Sequence, residues 1–94
     1  MYLGQGSGVN TTSGDGNTAL GQGALGSITT GFRSTAIGYQ ALASANTFIH
    51  NTAIGYGALR DSVLGGGNTA IGTFAMTEST EGSGNIAIGE STLY

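Results

Sequence analysis

Five carboxylates and one imidazole are the side chains of this chain best suited to acid–base or metal chemistry. They are Asp15, Asp61, Glu78, Glu81, Glu90 and His50. No two of the acids recur at one spacing, so no carboxylate pair is set up for general acid and base work. The run Ser13-Gly14-Asp15-Gly16-Asn17 has the look of a calcium loop. A real calcium site needs 6–8 oxygens, and calcium-binding repeats carry an Asp in every copy. Here the Asp does not recur, and a plain turn is expected. His50 has no second His for a shared metal and no nucleophile at a recognisable spacing; a loop or interface place is expected for it. Gly4-Gln5-Gly6-Ser7-Gly8 and Gly65-Gly66-Gly67 lack the Lys and the strand-to-helix setting of a phosphate loop. These residues imply no enzyme, no cofactor and no metal.

Composition narrows the classes further. The chain has 94 residues, among them 19 Gly, 13 Thr, 9 Ser and 6 Asn, which together make half of it. Pro, Cys, Trp and Lys are absent. Leu, Ile, Val and Phe total 19, too few for a conventional bulky core. The net charge of −3 is too small to drive disorder. Two Arg and no Lys cannot neutralise a phosphate backbone, which excludes nucleic acid as a partner. No apolar run approaches the ~18 residues of a membrane span, so membrane insertion is not expected. The first residues, Met1-Tyr2-Leu3-Gly4, do not read as a signal peptide.

What positions these side chains is a repeat. Asn51-Thr52-Ala53-Ile54-Gly55-Tyr56-Gly57-Ala58-Leu59 has counterparts beginning at Asn17, Ser34, Asn68 and Asn85, with a truncated copy at Tyr2-Leu3-Gly4. The glycines Gly4, Gly21, Gly38, Gly55, Gly72 and Gly89 are spaced by 17 residues without insertion or deletion. Such a register is what a solenoid requires, since each turn stacks on the last. A helix is rejected: a Gly at this frequency costs roughly 1 kcal/mol each and leaves no apolar stripe. The sequence therefore predicts an all-β chain, a parallel β-solenoid or β-roll with 17-residue rungs, as a single repeat domain over 1–94. With Asn17 as position 1, two short strands per rung are expected, at positions 2–4 and 7–9, bent at the position-5 Gly. Small polar loops close each rung at roughly 26–33, 43–50, 60–67 and 77–84.

Stacking at about 4.8 Å turns equivalent positions into rows. Position 4 gives Leu20, Ile37, Ile54, Ile71 and Ile88; position 9 gives Leu25, Leu42, Leu59, Met76 and Leu93. Position 3 is Ala in all five full copies, and position 8 is mostly Ala. Neighbours on a strand point to opposite faces. One row is thus expected to fill a thin interior and the other to lie on the surface, where an apolar stripe needs a partner. A homo-oligomer built on one of the two aliphatic rows follows, with the choice of row open. Asn17, Asn51, Asn68 and Asn85, with Ser34, are expected to form a side-chain ladder. The position-5 glycines are expected to make a backbone bend that a Cβ would block. Tyr39 and Tyr56 share position 6. Together with Phe32, Phe48, Ile49 and Phe74 they are expected to cover gaps between rungs and partners, or else to form a recognition surface.

The core Asn-Thr-Ala-Ile-Gly resembles the repeat of trimeric autotransporter adhesin heads, which are left-handed parallel β-rolls. The fuller run 51–59 is similar to repeats of phage tail-fibre proteins. The resemblance implies a trimeric structural or adhesive fibre segment, extracellular, on a cell surface or a virion. Its surface or end would touch a host or matrix receptor. The adhesin-head repeat is shorter than 17 residues, and no coiled-coil stalk or membrane anchor accompanies the repeats here, so autotransporter secretion is not implied. A second reading is ice binding, because flat β-solenoids with regular Thr rows can do it. Against it, Thr18, Thr35, Thr52 and Thr69 make a single row that ends at Ile86. A third is a filament protomer stacking end to end.

Overall fold

The computed structural model describes residues 2–4, 6, 16–26, 33–43, 50–61, 66–77 and 83–92. Six short strands run in chain order: β1 (Tyr2–Leu3), β2 (Thr18–Leu20), β3 (Thr35–Ile37), β4 (Thr52–Ile54), β5 (Thr69–Ile71) and β6 (Ile86–Ile88). They form one parallel sheet in the order β1-β2-β3-β4-β5-β6. The register is the repeat itself: Ala36 pairs with Ala53 and Ala53 with Ala70, always 17 residues on. This is a β-solenoid of stacked rungs, as the unbroken spacing predicts, and the strands fall on positions 2–4.

Within a strand the Ala is buried and its two neighbours are not. Thr35, Ala36 and Ile37 read half-buried, buried, half-buried, and β2, β4 and β5 repeat the pattern. Side chains alternate faces along a strand. The Ala row therefore points into the rung, while Thr and Ile share the outer face. The core comprises Ala19, Ala36, Ala53, Ala70 and Ala87 with Ala24, Ala41, Ala58 and Ala75, and with Leu25, Leu42, Leu59 and Met76. A methyl on one wall is what allows a Leu from the opposite wall to fit in so thin a space.

Positions 7–9 are not a second strand, which corrects the expectation. The rungs of β2, β3 and β4 each make two consecutive turns there, and those of β5 and β6 repeat the first. Ala58 N–H donates to the Gly55 carbonyl at 3.2 Å and Arg60 N–H to the Gly57 carbonyl at 3.0 Å. The position-9 residues Leu25, Leu42, Leu59 and Met76 have φ between 51° and 54°, in the left-handed region. That conformation costs an L-residue on the order of 1 kcal/mol, and burial of each side chain offsets it. It also turns positions 8 and 9 both inward in the rungs of β2 to β5, so neither position forms an outer aliphatic row there. Main-chain bonds still join the turns: Leu42 N–H donates to Ala58 O at 2.9 Å and Leu59 N–H to Ala75 O at 3.0 Å.

The Asn ladder forms as the spacing suggests. Asn17 Oδ1 accepts from Ser34 N–H at 2.9 Å, and Asn51 Oδ1 from Asn68 N–H at 2.9 Å. Asn68 Oδ1 accepts from Asn85 N–H at 3.0 Å, and Ser34 Oγ replaces the amide under Asn51 N–H at 3.3 Å. Each side chain satisfies a donor at the start of the next strand, where a buried N–H would otherwise be unpaired. The position-5 glycines bend as expected, at φ between 120° and 131° from Gly4 through Gly89. A Cβ on Gly55 would lie 2.6 Å from Gly72 O, inside the next rung.

Candidate interaction surface

The outer sheet face carries two parallel rows. Thr18, Thr35, Thr52, Thr69 and Ile86 form one; Leu20, Ile37, Ile54, Ile71 and Ile88 form the other. Rows two residues apart along a strand are about 6.7 Å apart, and rungs about 4.8 Å. The face has no charged residue in either row. The hydroxyls of Thr35, Thr52 and Thr69 make no hydrogen bond among the described residues. Ile86 and Ile88, on the last strand, are 69% and 65% exposed. Of the two aliphatic rows read from the sequence, position 9 is core, with Leu25, Leu42, Leu59 and Met76 at 0–2% exposure. Position 4 lies on the outer face, half-buried at Leu20, Ile37, Ile54 and Ile71 and exposed at Ile88. Leu93 lies outside the described residues.

The face is bordered on both sides. After the position-5 bend come Tyr39 and Tyr56, 42% and 46% exposed. Their rings stack at 5.2 Å between centroids and 25° between planes. Tyr56 also meets the edge of Phe74 at 4.9 Å and 83°. The Arg60 guanidinium sits over the Phe74 ring at 5.3 Å and pairs with Asp61 at 3.2 Å. Stacked and edge-on pairs of this kind contribute about 0.5–1.5 kcal/mol each. Phe74 reaches this place because position 7 of the rung before it is Gly57, where a Cβ would stand 2.7 Å from the Phe74 ring. In the same way the Gln40 stem lies over Gly23, whose added Cβ would meet Gln40 Cγ at 3.3 Å.

Before each strand lies the other border, position 17. Gly16, Gly67 and Gly84 occupy it with φ of 70–74°. Arg33 and His50 occupy it too, with φ of 54° and 58°. Both are exposed, and neither makes a hydrogen bond or ion pair among the described residues. A left-handed conformation is favourable for Gly and costs Arg or His on the order of 1 kcal/mol. Sequence reasoning gave His50 a loop or interface place and passed over Arg33. The signal available was the column itself, in which Gly16, Gly67 and Gly84 give way to Arg33 and His50 in two consecutive rungs.

The two described acids lie apart, on different rungs. Asp61 pairs with Arg60, and Glu90 is an exposed residue on the last rung. Asp15, Glu78 and Glu81 lie outside the described residues, as do Phe32, Phe48, Ile49 and the run 13–15. Among the described residues no three His, Cys, Asp or Glu side chains come together.

Fold and surface define the class: a parallel β-solenoid with one flat, uncharged, two-row face and a distinct border on each side. Comparison with protein-family models, with characterised proteins and with solved structures finds no match to this chain.

Proposed function

We propose that the chain is a structural and adhesive fibre segment that associates with copies of itself through the Thr/Ile face. The observation that carries this reading is the row Leu20, Ile37, Ile54, Ile71 and Ile88, which runs along the outer face from β2 to β6, half-buried as far as β5 and exposed at Ile88. An apolar stripe of that extent on an otherwise polar surface marks an interface. A parallel homotrimer, in register along a common axis, lets identical rows meet at every rung at once. It also keeps rungs with unequal loops level with their own copies. The resemblance of Asn51–Leu59 to adhesin-head and tail-fibre repeats supports the same arrangement, an extracellular place on a cell surface or virion, and a receptor on a host or matrix. End-to-end stacking into a filament is compatible with it. Native mass spectrometry tests the assembly: a trimer is expected, and a monodisperse monomer at micromolar concentration would refute it.

A second reading uses the same face. Thr and Ile lie on one side of the sheet, so the Thr row has a parallel companion that the sequence reading denied it. Two uncharged rows about 6.7 Å apart, repeated every 4.8 Å or so, form a regular lattice of hydroxyls and methyls. Such a lattice suits ice binding by a monomer. Thermal hysteresis by a chain that remains monomeric would favour this reading over the fibre.

A further inference from the structure

We infer that the two borders of the Thr/Ile face are the two halves of one contact, made between neighbouring copies of this chain: Arg33 and His50 of one protomer pack on Tyr39 and Tyr56 of the next. This rests on the self-association proposed above and specifies its geometry. The observation is a correlation between the borders. Strand β3 is flanked by Arg33 and Tyr39, and β4 by His50 and Tyr56. Strands β2, β5 and β6 have Gly16, Gly67 and Gly84 before them, and after them Gln22, Thr73 and Glu90. Wherever the leading border carries a cationic or imidazole side chain, the trailing border of the same strand carries Tyr. Where it carries Gly, the trailing residue is not aromatic.

Among the described residues no contact links the two borders. The strand between the two borders holds Arg33 and Tyr39 on the order of 15–20 Å apart. Arg33 and His50 also occupy left-handed backbone that Gly fills without strain at the equivalent places. No hydrogen bond or ion pair among the described residues compensates them. A ring of copies does account for it. In a cyclic assembly with three members the contact is heterologous, so the leading edge of one face meets the trailing edge of the next. With the copies parallel and in register, Arg33 stands level with the neighbour's residue 39 and His50 with its residue 56. Guanidinium and imidazole groups are attracted to the face or edge of a Tyr ring. The chain already makes such a pair internally, Arg60 over Phe74. The borders thus act as a register device. The aliphatic rows are nearly uniform along the axis and would tolerate a slip of one rung, whereas an Arg–Tyr and a His–Tyr pair confined to β3 and β4 would lose one of the two contacts.

The chain has no Cys, so paired cysteines can report the contact without background. Arg33→Cys with Tyr39→Cys, treated with a short bis-maleimide, is expected to give covalent dimers and a closed covalent trimer on a denaturing gel. The control pair Arg33→Cys with Glu90→Cys, offset by three rungs or about 14 Å, is expected to give at least tenfold less. A second variant, Arg33→Gly with His50→Gly, relaxes the backbone at both positions. It is expected to raise the dissociation constant of the assembly at least tenfold without lowering the melting temperature of the dissociated chain. An assembly that forms but crosslinks no better than the control overturns the inference and leaves self-association standing. Crosslinking that stops at a covalent dimer overturns the ring. A chain that never associates overturns both.

Discussion

Replacing Gly55 by Ala isolates the contact that sets the spacing of the rungs. Gly55 has φ of 129°, and an added Cβ would lie 2.6 Å from Gly72 O, 2.7 Å from Gly72 C and 3.1 Å from Gly72 N. All three atoms are backbone of the next rung, so no side chain can swing away. Two costs add. Holding Ala at that φ costs about 1–3 kcal/mol. Relieving the overlap requires the rungs to part locally, where Gly72 N–H donates to Ile54 O at 2.7 Å and Gly55 N–H to Ile37 O at 2.7 Å. Weakening one or two such bonds adds about 1 kcal/mol each. The expected loss is roughly 2–5 kcal/mol, out of about 5–14 kcal/mol for a domain of this size. Gly89→Ala is the matched control. Its φ is 126°, but among the described residues the Cβ would meet Thr92 Cγ2, at 3.0 Å, and no backbone atom of another rung. It should lose the conformational part alone, about 1–3 kcal/mol. Urea denaturation of both variants at one protein concentration measures the difference. Equal losses would show that backbone conformation, and not rung-to-rung contact, makes the glycine necessary.

Other substitutions probe the ladder, the core and the outer face. Asn51→Ala removes the acceptor of the buried Asn68 N–H and should cost about 1–3 kcal/mol, whereas Asn51→Ser should recover part of it, since Ser34 already serves one rung below; urea midpoints check both. Leu59→Ala empties a side chain that is 1% exposed and should cost about 2–5 kcal/mol in the same assay. Ile54→Asp places a charge on the half-buried outer row. It should leave the circular dichroism of the single chain intact while abolishing the assembly in sedimentation, and an unchanged assembly would remove Ile54 from the interface.

Much of this was legible because a solenoid repeats its physics as well as its letters. The period of 17, the strands on positions 2–4, the Gly bend and the Asn ladder all follow from residues that recur in every copy. The second strand was misread because Ala-Leu looks like the end of a strand, and Leu is not a residue one assigns to left-handed backbone. Only the turn bond from Ala58 to Gly55 and the φ of 53° at Leu59 reveal that the chain coils inward there. The pairing of Thr and Ile on one face was available from the alternation of side chains along a strand. Which of the two faces points inward depended on the opposite wall, and hence on that same Leu. The borders stayed hidden because Arg33 and His50 stand where other copies have Gly, so a search for recurring residues passes over them.

The direction of the hydrogen bonds has a mechanical consequence. Rung is bound to rung by bonds that run along the stacking axis of the solenoid, such as Gln40 N–H to Gln22 O at 2.9 Å and Phe74 N–H to Tyr56 O at 2.8 Å. Under axial tension the rung interfaces act in series. Each bears the whole load, and the chain is as strong as its weakest interface. Rupture of one interface would release the slack of a single 17-residue turn, about 55 Å of extended chain less one rung spacing. A fibre made of such segments would lengthen in uniform steps under a shearing flow, dissipating work at each step. The step beneath Asn51, where Ser34 Oγ stands in for an amide at 3.3 Å, is the longest bond in the side-chain ladder and the natural place for the first to open.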